Sequence, residues 1–204
     1  MIHPQTEIQY INDAIGYGVF AKALLPQGTI VYVKDNLEIC ISPEEYHNHS
    51  QPMREVIEKY SYKDENGFRI ISWDFAKYVN HCCNFNTIST GYGFEVAIRD
   101  IQPGEQITDE YSLFNLDKPM VVNCGEANCR KQINPEDFDN YYPEWDKLIK
   151  SALRKFHTLE QPLADFLDKD TLKALNDFRL NENAYRSVYS LRLREKIYLN
   201  QEMK

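Results

Sequence analysis

The sequence is short of positive charge: 23 Lys and Arg stand against 31 Asp and Glu in 204 residues, a formal net charge of −8. Broad binding to nucleic acid needs a cationic surplus that displaces counterions from phosphates, so that class of function is disfavoured. A negative field instead attracts basic peptides, or simply keeps a protein soluble. Long apolar runs are missing too. No stretch approaches the roughly 20 residues of a membrane-spanning helix. Met1-Ile2-His3-Pro4-Gln5-Thr6-Glu7 lacks the basic-then-apolar order of a secretion signal. The expectation is an intracellular protein that contacts neither membrane nor nucleic acid directly. Cysteine is sparse and odd in number, with five residues, which argues against a disulfide framework. Cys82-Cys83 and the pair Cys124 and Cys129 read as buried thiols or metal ligands, and Cys40, between Ile39 and Ile41, as a core residue. There is no internal repeat and no low-complexity tract.

What is present suffices for a core. Hydrophobic residues make up 43% and aromatics 13%, including 14 Tyr, enough for one compact domain with an added subdomain. Val19-Phe20-Ala21, Ile30-Val31-Tyr32-Val33 and Leu37-Glu38-Ile39-Cys40-Ile41 are predicted strands, with a tight turn at Pro26-Gln27-Gly28. Ser42-Pro43-Glu44-Glu45 has the cap, the first-turn proline and the carboxylate of a helix start. That helix is expected through parts of 43–60, interrupted near Pro52. Lys63 to Gly67 reads as a turn, Phe68-Arg69-Ile70 and Phe94 to Ile98 as half-buried strands, and Gly91-Tyr92-Gly93 as a turn between them. The turn Ile101 to Glu105 leads into Gln106-Ile107-Thr108-Asp109-Glu110-Tyr111.

After about Asn134 the pattern changes. Leu159, Leu163, Phe166 and Leu167, then Leu172, Leu175 and Phe178, then Tyr185, Val188, Tyr189, Arg192 and Ile197 recur at helical spacing. Asn181-Glu182-Asn183 separates two of these runs and offers a cap. The apolar stripes either pack on each other and on the β-rich part or form a homodimer interface.

Three segments concentrate small and polar residues. Gly16-Tyr17-Gly18-Val19-Phe20-Ala21 brackets an aromatic residue with glycines ahead of a strand, which makes a tight turn or lets backbone approach a ligand. It lacks the third glycine and following helix of a dinucleotide site. Tyr78-Val79-Asn80-His81-Cys82-Cys83-Asn84-Phe85-Asn86 fits a hydrogen-bonded loop, a metal site or a Cys-His nucleophile. No orienting partner for a nucleophilic thiol is evident. Gly104-Glu105-Gln106-Ile107-Thr108-Asp109-Glu110-Tyr111 ends an acidic strand on a tyrosine, which packing alone can also explain. Their ordered combination is more specific than any one of them.

In this order the segments resemble the SET-domain family of S-adenosylmethionine-dependent methyltransferases, over roughly residues 14–133. The family's Gly-x-Gly matches Gly16 and Gly18. Its Asn-His-Ser-Cys-x-Pro-Asn matches Asn80, His81, Cys83 and Asn86, with Cys82 and Phe85 departing. Its Gly-Glu-Glu-Ile-Thr-x-Asp-Tyr matches Gly104, Glu105, Ile107, Thr108 and Tyr111, with Gln106 and Glu110 departing. Val122 to Lys131 resembles the family's post-SET stretch, in which three cysteines join the central one around zinc. Cys124 and Cys129 match two of these, and Val122 stands at the third.

The resemblance implies an α+β protein: a β-rich SET fold of several small sheets with a threaded C-terminal motif (a pseudoknot), plus a helical C-terminal subdomain. Residues 1–133 would form the SET domain, with a variable insert at about 42–66 and the post-SET-like segment at about 120–133, and residues 134–204 the helical extension. It implies Tyr111 as the catalytic residue, and Gly16, Tyr17, Gly18, Tyr78, Asn80 and His81 around S-adenosylmethionine, His81 through its backbone. Tyr78, Asp109 and Tyr111 would line the substrate channel, although Asp109 also reads as an outward-facing strand residue. Cys83, Cys124 and Cys129 would hold a zinc completed from outside, with apolar contact through Val122 as the alternative anchor.

Methyl transfer to lysine needs a neutral, aligned amine, and a narrow aromatic channel favours that form by desolvation. The implied activity is lysine methylation of a protein partner, histone or other, by a monomer or homodimer. The contrasting expectation, motivated by Cys82, Phe85, Glu110 and Val122, is a SET-like interaction module; a zinc-dependent adaptor is a third. His47 and His49, within the insert, read as surface residues.

Overall fold

The computed structural model describes residues 1–194; Ile197, read above as part of a helical run, lies outside the described residues. The fold is α+β and its strands form several small sheets. β1 (Thr6–Asn12), β2 (Gly16–Ala21), β10 (Gln106–Asp109) and β7 (Asn80–His81) make one sheet in the order β1-β2-β10-β7. β3 (Ile30–Val33), β9 (Phe94–Ala97) and β8 (Thr87–Ser89) make a second, in the order β3-β9-β8. β4 (Ile39–Ile41), β6 (Arg69–Ile71) and β5 (Tyr62–Lys63) make a third, in the order β4-β6-β5, and β11 (Met120–Val121) pairs with β12 (Gln132–Ile133).

Residues 43–60 form α1 (Pro43–Asn48) and α2 (Gln51–Tyr60). Ser42 and Glu45 exchange the two reciprocal hydrogen bonds of a capping box, as their spacing predicts. The expected interruption falls at His49-Ser50, just before Pro52. His47 and His49 are exposed. Two expectations for this region need correction. The third strand is confined to Ile39–Ile41, because Leu37 lies outside it and is exposed. Cys40 is exposed rather than part of the core: β4 is an edge strand, and its two apolar neighbours lie outside both buried clusters.

The C-terminal part contains α3 (Asp137–Phe156) and α4 (Lys169–Leu180). Trp145, Ile149, Leu153 and Phe156 of α3 and Leu175 and Phe178 of α4 share one core with Ile30, Ile88, Phe94 and Val96 of the β3-β9-β8 sheet. The helices therefore back the sheet that carries β9. Asp146 of α3 fixes the last described segment by accepting from the Tyr185 hydroxyl at 2.7 Å, the Ser187 hydroxyl at 2.6 Å and the Val188 N–H at 2.9 Å. That segment forms single 3₁₀ turns and no longer helix.

The helical spacing at Leu159, Leu163, Phe166 and Leu167 belongs to a connection with one 3₁₀ turn, Ala164–Phe166. Pro162 cannot donate an intrahelical bond, and Gln161 is used elsewhere. Its Oε1 accepts the Ile30 N–H at 2.9 Å and its Nε2 donates to the Gly28 carbonyl at 2.8 Å, which satisfies the free edge of β3. No helix among the described residues is long and apolar enough to cross a membrane.

Candidate functional site

β10 is the element on which the site is built. It pairs antiparallel with β2 and parallel with β7, so three separate sequence segments meet on it. The connection after β7 is laid across β10 by Asn86. This side chain donates to the Gln106 carbonyl at 2.8 Å and accepts the Thr108 N–H at 2.9 Å, while its own N–H donates to the Thr108 carbonyl at 3.2 Å. A side chain with one acceptor and one amide donor can bridge two backbone groups of one strand in this way. Asn86 is 1% exposed.

Gly18 makes the junction between β2 and β7 possible. A Cβ there would lie 2.7 Å from Gln106 Nε2 and 3.1 Å from Asn80 Nδ2. The glycine thus admits the Asn80 amide, which donates to the Tyr17 carbonyl at 3.0 Å. Gly16 adopts φ +83°, a conformation that favours glycine at the turn entering β2.

Tyr111 follows β10 and separates two cavities. One, of about 440 Å³, is walled by Tyr60, Tyr62, Phe114 and Tyr111, with Glu95 and Asp109 also lining it. The other, of about 390 Å³, is lined by Asn80, His81, Asn86, Gln106 and Tyr111. Both volumes suit a bound small molecule or an inserted side chain. The Tyr111 hydroxyl donates to the Val79 carbonyl at 2.6 Å, which fixes the ring between the two spaces. Burial drives its pKa up, and the Asp109 and Glu95 carboxyls push the same way, so the phenol stays protonated.

His81 is engaged on both ring nitrogens. Nδ1 lies 3.1 Å from the Asp109 carbonyl and 3.4 Å from the Tyr111 N–H, and Nε2 lies 3.5 Å from Cys83 Sγ. Burial lowers its pKa against the opposing pull of Glu110. The imidazole is therefore a neutral structural bridge between the central segment and β10.

Of the residues singled out from sequence, Asn80, His81 and Tyr111 meet at the smaller cavity, and Asp109 and Tyr111 at the larger. Tyr17 and Tyr78 stand beside them in an aromatic row, with ring centroids 5.8 Å apart and the next pair, Tyr78 and Tyr60, 5.7 Å apart. Tyr78 thus packs between the β2 turn and the wall of the larger cavity. Ile15, immediately before Gly16, reaches the smaller one. The outward-facing reading of Asp109 is wrong: the residue is 1% exposed. Parallel pairing with β7 covers what would otherwise be an open edge.

Cys83, Cys124 and Cys129 place their sulfurs within 4.8 Å of one another. Zinc bound to thiolates at about 2.3 Å brings sulfurs to comparable separations. Backbone N–H groups already point at two of them: Cys83 N–H to Cys124 Sγ at 3.4 Å, and Arg130 N–H to Cys83 Sγ at 3.3 Å. Burial raises the Cys124 pKa, but the N–H groups of Cys83 and Glu126 outweigh it and bring the thiol down to about 7. Three ligands fit, and Val122 beside them is buried and offers only its carbonyl, 3.7 Å from Cys129 Sγ. Cys82 is not one of the converging trio but lies beside Cys124; burial raises its pKa to about 11.

Two members of the site escape sequence reading. Glu95 looks like one polar position in an alternating strand, and alternation cannot tell a solvent face from a cavity face. Arg130, among exposed residues after Cys129, reaches back to Glu110. Nothing local in the sequence signals that contact.

Residues 16–112 match the family model of the SET domain. No curated protein matches the sequence.

Proposed function

We infer that this chain, which carries a SET domain over residues 16–112, transfers methyl groups from S-adenosylmethionine to lysine side chains of a protein substrate. SET domains are in general methyltransferases, so the match supports a methyltransferase-type function. The observation that carries the finer reading is the placement of Tyr111 as the shared wall of two cavities. A transfer between two bound molecules needs an opening on each side of the reacting position.

Asn80 and His81, with Gly16, Tyr17, Gly18 and Tyr78 beside them, would hold the cofactor, which supplies an activated methyl group when bound. The aromatic walls of the larger cavity would take the aliphatic stem of lysine. Desolvation there favours the neutral amine. The Tyr111 hydroxyl would orient that amine and stabilise charge near it. A net charge of −8 suits a basic partner such as a histone or another lysine-rich protein. Cys83, Cys124 and Cys129 would bind one zinc, with a fourth ligand from outside the cluster.

The departures at Glu110, Val122, Phe85 and Cys82 are accommodated locally. Glu110 is paired with Arg130, Val122 is buried, Phe85 packs against the main core, and Cys82 accepts the Asn84 N–H at 3.3 Å. None of them disturbs Tyr111 or Asn80. Incubation of purified core histones and a lysine-rich peptide array with S-adenosylmethionine should yield mass shifts of one or more methyl groups on lysine. Tyr111→Phe should reduce the rate by about 10²–10³-fold, the scale for loss of one positioned polar group. Wild-type protein that modifies no lysine in either set would refute the reading.

A further inference from the structure

The larger cavity lies against two carboxyl groups with no cation of their own. Asp109 is 1% exposed, and Glu95, on the neighbouring sheet, lines the same cavity and interacts with it. Asp109 Oδ1 accepts the Glu110 N–H at 2.7 Å, whereas Oδ2 is buried with no donor in reach. The Glu95 carboxyl is another acceptor unless one of the pair is protonated. Two carboxyls this close hold a proton more tightly than isolated ones, Asp109 above all.

The surrounding groups do not supply the missing cation. Glu110 is held by Arg130, at 2.8 and 2.7 Å, and the Tyr111 hydroxyl by Val79. Glu38 adds a negative charge felt at Glu95, beside the buried phenols of Tyr32 and Tyr62. The N-terminal ammonium, also felt at Glu95, is bonded to Asp35 at 2.8 Å. Of the cavity's cations, Lys63 and Arg69 pair with Asp117, Lys77 is bonded to the Asp74 carbonyl at 2.8 Å, and Lys59 lies over the Tyr60 ring; Lys118 is also in the lining, and among the described residues neither it nor any other cation pairs with Asp109 or Glu95. A divalent metal finds no third ligand here: among the described residues the one cluster of metal-binding groups is the cysteine trio. What fits is a single cationic head on an apolar stem.

We propose that Asp109 and Glu95 bind the ammonium of the target lysine and accept one of its protons, so that the pair serves as the base that frees the amine. This rests on the lysine-methyltransferase reading. An N–H bond of the ammonium breaks, the proton moves to the carboxylate, and the ammonium becomes the neutral amine. The nitrogen lone pair then forms the new bond to the methyl carbon of S-adenosylmethionine, and the C–S electron pair stays on sulfur. The proton leaves the pair to solvent after the methylated product departs. Burial raises both acids, reinforced at Asp109 by Glu95 and at Glu95 by Glu38, which brings their affinity for a proton closer to that of the amine they must deprotonate.

The test is the pH profile of single-turnover methyl transfer to core histones by wild type, Asp109→Asn and Glu95→Gln. Thermal midpoint and S-adenosylhomocysteine binding check that each variant is folded. If Asp109→Asn fails to fold, Glu95→Gln carries the comparison. Loss of a general base should lower the rate about 10²–10⁴-fold near neutral pH. The loss should shrink as pH approaches about 10.4, where lysine deprotonates unaided. Folded variants that keep the wild-type profile overturn the proposal and leave the methyltransferase reading standing. If wild type transfers nothing to lysine, that reading fails first, and binding of n-butylamine then decides the cation site. Binding by wild type that both variants lose supports the site; no binding, or equal binding by the variants, overturns it.

Discussion

Arg130 donates to both carboxylate oxygens of Glu110, at 2.8 and 2.7 Å, and so ties the cysteine segment to the residue next to Tyr111. Glu110 is 2% exposed and also accepts the Ser112 N–H and hydroxyl. A charge-assisted pair of this kind is strong, and removing one partner leaves an uncompensated buried charge. The same arginine reaches Asp137 at the start of α3 at 3.4 Å. One side chain therefore joins three elements that are far apart in sequence.

Arg130→Met should lower stability by about 3–5 kcal/mol, the range for a buried pair broken on one side. Combining it with Glu110→Gln should recover part of that loss, because the stranded charge is gone. Denaturant unfolding of the four forms gives the coupling directly. Additive losses would show that the pair is not energetically coupled.

Asn86 offers a second stability prediction. Replacing it with Ala strands the Thr108 N–H and the Gln106 carbonyl in the interior. Each unsatisfied buried group costs about 1–3 kcal/mol, so with two stranded, Asn86→Ala should destabilise by about 2–6 kcal/mol. The crossing of the central segment over β10 should loosen before the rest of the fold. Hydrogen exchange at the Thr108 amide reads this locally, and unchanged protection there would argue against the clamp.

The fold was legible where local chemistry decides it. Ser42, Pro43 and Glu45 announce a helix start and make one, and the Gly104 turn leads into β10 as expected. Leu159 to Leu167 misled because apolar spacing records burial, and Leu163 is buried from a connection as fully as from a helix. Asp109 misled for a related reason. Alternation assumes one solvent face, but Ile107, Thr108 and Asp109 are buried in succession, so β10 is covered on both faces. Asn80, His81 and Tyr111 could be named from their motifs. The partnership of Asp109 with Glu95 joins different sheets and leaves no spacing to read.

Metal content is the simplest check on the cysteine trio. Purified protein should contain one zinc per chain, and Cys124→Ser should lower that content sharply. A chelator should lower the thermal midpoint of wild type and leave that of Cys124→Ser little changed, since bound metal adds to folding stability. Three thiolates with an open fourth position should release zinc more readily than a closed four-cysteine site. Metal-free protein with an unchanged midpoint would assign the anchoring of this segment to Val122 and Arg130 instead.

Stability should also record the acid pair without any substrate. Burial raises Glu95 to about 7, against about 4.3 for an exposed glutamate. The folded state therefore binds its proton more tightly than the unfolded chain does. Between those two values the folded state holds more protons, so stability contributed by Glu95 falls as pH rises. That contribution is fully present below the unfolded value and lost as pH passes about 7. Wild type should thus show a declining thermal midpoint from about pH 4.5 to 8, with other titrating groups superimposed. Glu95→Gln removes this one component, so its midpoint should rise relative to wild type as pH increases, and the difference should level off above neutrality. A difference between the two proteins that is constant across this range would mean that Glu95 titrates as an ordinary exposed carboxyl.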